Sequence, residues 1–122
     1  MSLQEEITTA IAAHGLWKSG LRNAVETGRS YVAPAAVRAD NLCKFGQWLY
    51  GATITDSVKA SPAYQECRDL HAKFHAAAAH VLDLALAGRS DQAEAALRDG
   101  SEFAMASHAL TTAMLRWKNT AG

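Results

Sequence analysis

Apolar residues recur along this chain at steps of three and four, the spacing of one face of an α-helix, and not at the steps of two that mark a strand. Only two prolines and eight glycines interrupt the pattern, so helices joined by modest loops are expected and no sheet. Ile7, Ile11, His14, Trp17, Leu21 and Val25 share one stripe and predict a first helix from Leu3 to Thr27, ended by Gly28. A linker with Tyr31, Val32 and Pro34 leads to a short second helix over Ala35 to Tyr50, carrying Leu42, Cys43, Gly46 and Leu49 and followed by Gly51. After the polar stretch Thr53 to Ser61, Ser61 as N-cap and Pro62 at the first helical position open a long third helix. Its stripe is Leu70, Phe74, Ala77, Val81 and Leu84, and it runs to Ala87 before Gly88. A fourth helix starts near Asp91 as cap after Ser90, with Ala93, Leu97, Gly100, Ala104, Ser107, Thr111 and Met114 at near-heptad spacing. The simplest assembly is all-α, an antiparallel four-helix bundle with a short second helix.

The 122 residues suit a single domain, 1–122, able to bury one core. Much of the 49% hydrophobic content is alanine, which buries little area, so close helix contacts must supply the packing. Twelve basic and twelve acidic residues balance, which removes the electrostatic reason to expect nucleic acid or an anionic membrane as partner. No apolar run approaches the ~18–20 residues that span a bilayer, and the polar start lacks signal-peptide regions, so a cytoplasmic location is expected. There, two cysteines read as a metal ligand or redox thiol rather than a disulfide.

The chemistry centres on His71 and His75, four residues apart and hence on one helix face, where two imidazoles can reach one ion at the ~2.0–2.1 Å that zinc requires. Phe74 between them, with Leu70 and Ala78 beside them, points the pair inward, where unsatisfied imidazoles are costly. His14 on the first stripe could be an ordinary core histidine, and Cys43 near Gly46 a small buried hydrophobe. Taken together, three helices turn His14, Cys43, His71 and His75 inward, a set that suits tetrahedral zinc. Neutral imidazoles and one thiolate leave the site near +1 with all four positions filled, which disfavours catalysis and ties occupancy to helix packing. Cys67 lies eight residues before His75, ~12 Å along a helix axis, and so reads as a packed residue, with a resolving thiol for Cys43 as its functional alternative. His80 and His108 read as solvated, and Trp48, Tyr50, Phe103, Leu110 and Trp117 as core or dimer-interface residues. The last three recur every seven residues, a seam that suggests self-association.

The same residues resemble the chemoreceptor zinc-binding domain (CZB) family of bacterial cytoplasmic signalling proteins. The shared elements are His14 and Trp17 in HGLW, the cysteine element CKFGQW, in which Phe45 replaces the usual leucine, and HAKFH from His71 to His75. They stand in the family's order, about thirty residues apart, within a core region 10–85. The resemblance implies that His14, Cys43, His71 and His75 are zinc ligands, with Cys43 the labile or oxidisable one, and zinc level or hypochlorous acid the stimulus. It also implies a homodimer serving a chemoreceptor or diguanylate cyclase module; this chain carries neither, so the output is expected from another protein or from the rest of a larger receptor. A purely structural zinc-stabilised dimerisation module and a phosphotransfer bundle are the alternatives. A di-iron site would need inward carboxylates, and Asp69, Asp83 and Glu94 fall at polar positions.

Overall fold

Gly28 ends the first helix as its sequence predicts, and Ser2 caps its start. The Ser2 hydroxyl accepts from the Glu5 amide, and Gly28 takes the left-handed conformation (φ 70) that closes the last turn without a Cβ clash. The computed structural model describes residues 2–29, 34–39, 43–98 and 100–120, and among these residues all regular structure is helical. The helices are α1 (Leu3–Thr27), α2 (Pro34–Arg38), α3 (Lys44–Leu49), α4 (Asp56–Lys59), α5 (Pro62–Leu86), α6 (Ser90–Leu97) and α7 (Glu102–Thr120). The side chain of Trp17 and the whole of Tyr31, Val32 and Leu42, which the sequence reading used, lie outside the described residues.

The all-α expectation holds, while the count of four helices does not. The predicted second helix is two pieces, because α2 stops at Arg38 and Cys43 adopts extended backbone (φ −78, ψ 162) to cap α3 instead of continuing a helix. The predicted fourth helix also divides. Gly100 sits at φ 85, and Ser101 then starts α7, its hydroxyl accepting from the Ala104 amide at 3.1 Å. The near-heptad spacing across Gly100 suggests continuity, but extended backbone at Arg98 (φ −69, ψ 160) ends one helix, and a hydroxyl cap after the left-handed Gly100 begins the next. Arg89, not Asp91, precedes the first residue of α6 and makes no side-chain cap. The polar stretch after Gly51 contains α4, capped by Thr55.

Helix directions follow from contacts between side chains. His14 lies against Phe74, and Gly28 lies beside the Ala85 carbonyl, so α1 and α5 run parallel. Gln4 bonds the Lys118 carbonyl and His14 meets Ser107, so α7 runs against α1; Glu66–Arg116 and Phe74–Phe103 show the same against α5. Val37 meets His75 and Leu49 meets Tyr64, so the divided α2–α3 segment descends along α5 in the opposite sense. Up, down, up and down is therefore the order of the segments, with α5 in the middle. Three successive alanines of α5, Ala77, Ala78 and Ala79, are all buried, so this helix is enclosed on more than one side and its neighbours approach closely.

The seam of Phe103, Leu110 and Trp117 is core of this same chain, 6%, 0% and 3% exposed, and so is not a free surface for a second copy. Tyr50 is exposed rather than core. Truncation of Leu110 to alanine should cost about 2–5 kcal/mol, the range for a fully enclosed leucine. Urea unfolding followed by circular dichroism should show a lower midpoint at unchanged slope.

Candidate metal centre

His71 and His75 stand one turn apart on α5, 1% and 2% exposed, with ring centroids 4.5 Å apart and the rings near perpendicular. A helix of 25 residues, capped by the Ser61 hydroxyl and opened by Pro62, gives both a rigid mount. Cys43 approaches from the start of α3. As the capping residue its Sγ accepts from the Gly46 amide at 3.3 Å, which turns the sulfur toward α5. The sulfur lies 3.4 Å from His71 Nε2 and 3.3 Å from His75 Nε2.

Proton positions at His75 follow from its other nitrogen. Nδ1 is 2.7 Å from the Val37 carbonyl oxygen, which can only accept, so Nδ1 carries the hydrogen. In the neutral ring Nε2 then presents its lone pair to the cysteine sulfur. A carbonyl that fixes the tautomer and aims the opposite nitrogen is the usual support of a metal-binding histidine. His71 is held differently, its ring stacked on Phe45 at 4.4 Å and 27°. Phe45, the departure from the family's leucine, thus packs on the imidazole itself.

These distances fit a metal. Zinc bonds of ~2.3 Å to sulfur and ~2.0–2.1 Å to nitrogen at tetrahedral angles hold sulfur and nitrogen roughly 3.5 Å apart. The observed 3.3 and 3.4 Å are close to that value. Cys43, His71 and His75 each offer a donor atom within 4.8 Å of the others, and they are the group among the described residues that could hold an ion. It contains no carboxylate; Asp69, Asp83 and Glu94 are exposed, as are His80 and His108.

His14, the remaining sequence candidate, is not in that group. It is 7% exposed, its ring lies 4.3 Å from that of Phe74, and its Nε2 is 3.2 Å from Ser107 Oγ on α7. Burial holds its pKa down at about 4, with the charge of Lys18 adding to the effect, so the imidazole is neutral.

A sequence profile of the chemoreceptor zinc-binding domain matches residues 14–82, more than half of the 122-residue chain. The chain belongs to that family. No curated protein and no solved structure matches it. The CZB match opens at His14 and spans Cys43, His71 and His75, so zinc is the metal to which the donor set corresponds. Two features of this CZB domain lay beyond sequence reasoning. The Val37 carbonyl and the Gly46 amide are backbone atoms and leave no mark in the side-chain pattern. Ser107 had one available signal, a hydroxyl on the buried stripe of α7.

Cys67 is fully buried, as expected for a packed residue. Burial pushes its thiol up to about 12, with Glu66 adding and Arg116 opposing, so at pH 8 it stays protonated and unreactive. Of the two cysteines, Cys43 alone is partly accessible. Metal-free folded protein should therefore take up one alkyl group at pH 8 by intact mass, at Cys43, and a second only in denaturant. Rapid double labelling of the folded chain would contradict this assignment.

Proposed function

We propose that this chain is a regulatory sensor in which Cys43, His71 and His75, joined by His14, hold one zinc ion. The observation that carries the reading is the convergence of one sulfur and two Nε2 atoms at 3.3–3.4 Å, with His75 oriented by the Val37 carbonyl. Bound zinc would supply a crosslink among α1, α3 and α5. With four protein donors, no position is left for a substrate or activated water, which favours regulation over catalysis.

The donors differ in a way that suits sensing. His71 and His75 are enclosed on the 25-residue α5, whereas Cys43 is partly accessible and caps a helix of six residues. Solvent and oxidants reach the thiolate first. In net terms the reaction with hypochlorous acid converts RS− and HOCl to RSOH and Cl−, with two electrons passing from sulfur to chlorine. The sulfenic acid is a poor donor, so α3 loses its tie to α5. Among the contacts that still hold α3 are Phe45 stacked on His71, the buried Leu49, the Tyr64 hydroxyl donating to the Leu49 carbonyl at 2.9 Å, and Trp48 against Trp117. Zinc depletion removes the same tie without oxidation.

We further propose a cytoplasmic homodimer that passes this change to a chemoreceptor or diguanylate cyclase module, in cis or in trans. Support comes from the family, since the CZB profile is that of a chemoreceptor domain, and from the absence among the described residues of any helix long and apolar enough to cross a membrane.

Zinc per chain, measured by elemental analysis before and after a stoichiometric hypochlorous acid pulse, tests this reading. Wild type should carry one zinc and lose it on oxidation. Cys43→Ala should bind at least ~10-fold more weakly, since even outer partners of a ligand contribute ~10–100-fold. Zinc retained through oxidation would reduce the site to a structural one, and iron, or two metals per chain, would overturn the assignment.

A further inference from the structure

Four polar side chains are buried among the described residues: His14, His71, His75 and Ser107. Two of them belong to the metal group, and the other two are paired with each other. On α7 the enclosed stripe of Phe103, Leu110, Ala113, Met114 and Trp117 is otherwise apolar, and Ser107 breaks it where α1 presents His14. A serine inside a helix can turn its hydroxyl back to its own backbone. Here the hydroxyl lies 3.2 Å from His14 Nε2.

His14 is already at the level of the metal group, since its ring lies against Phe74, the neighbour of His75. Yet with the Ser107 contact made, the group that closes within 4.8 Å holds Cys43, His71 and His75 and leaves His14 out. One ring nitrogen cannot give its lone pair to a metal while it is engaged with a hydroxyl.

Building on the zinc-site reading above, we propose that Ser107 competes with the metal for His14. In the metal-free chain the hydroxyl keeps the imidazole on α7, and metal binding transfers the imidazole to the site. Ser107 lies outside the CZB match at residues 14–82, so this latch is a property of the chain's own last helix. It makes α7 responsive to occupancy. With the ion in place the Ser107 hydroxyl loses His14 as its buried partner and turns back to the backbone of α7, a bond that bends helices slightly. Ser107 is a positioning residue that acts through His14.

Zinc affinity, measured by competition with a chromophoric chelator, tests the latch. Ser107→Ala removes one hydrogen bond from the metal-free state only and should tighten zinc binding about 3- to 10-fold. Ser107→Thr keeps the hydroxyl and should bind as wild type does. In a His14→Ala background the Ser107→Ala gain should vanish. In the metal-free protein, imidazole 15N shifts should change at His14 on going to Ser107→Ala and stay fixed at His71. Unchanged or weaker binding by Ser107→Ala, with wild-type zinc intact, would overturn the latch and leave the zinc site standing. A wild type that binds no zinc would remove both, while the 15N shifts would still report the His14–Ser107 bond on its own.

Discussion

Two imidazoles side by side on the most enclosed helix are tolerable only if their nitrogens find partners, because a buried polar group without one costs about 1–3 kcal/mol. Much of the surrounding architecture answers that requirement. The first element after α1 brings the Val37 carbonyl to His75 Nδ1, and α3 brings the Cys43 sulfur to both Nε2 atoms. Had the region between α1 and α5 been one uninterrupted helix, no free carbonyl of α2 and no capping sulfur of α3 would face α5. Dividing that segment is therefore the local condition for the site, and the break in regular structure coincides with the chemistry.

That point also explains what could and could not be read from the residues. The long helices α1 and α5 were legible because each carries a hydrophobic stripe between standard signals, Gly28 at one end and Ser61–Pro62 at the other. The His71–His75 pair was legible because helical spacing alone places four-apart residues on one side. Cys43 was recognisable as a ligand type, but not as a capping residue, since its extended backbone depends on contacts with α5. At Gly100 the signals conflicted, and apolar spacing was the weaker guide. The seam of Phe103, Leu110 and Trp117 shows the opposite difficulty. A seven-residue apolar repeat states that a face is covered without saying what covers it, and here α5 does so within the chain.

The elements around the site differ in how firmly they are held. α5 is enclosed on several sides, and α1 is long and capped at both ends. By contrast α3 has six residues, and the indole Nε1 of its Trp48 is buried with no hydrogen-bond partner among the described residues. In the proposed sensor the two histidines would stay in place while the cysteine end moves, so that the site would respond without unfolding the bundle.

The ring of Trp48 meets that of Trp117 at 5.6 Å between centroids, tilted by 38°. Two indoles this close and non-parallel share their ultraviolet transitions, and the resulting chiral coupling depends steeply on separation and angle. One partner rides on α3 and the other on the last helix, so the chain carries its own optical gauge of whether α3 is seated. It needs neither label nor metal chromophore, and it reads the protein rather than the ion.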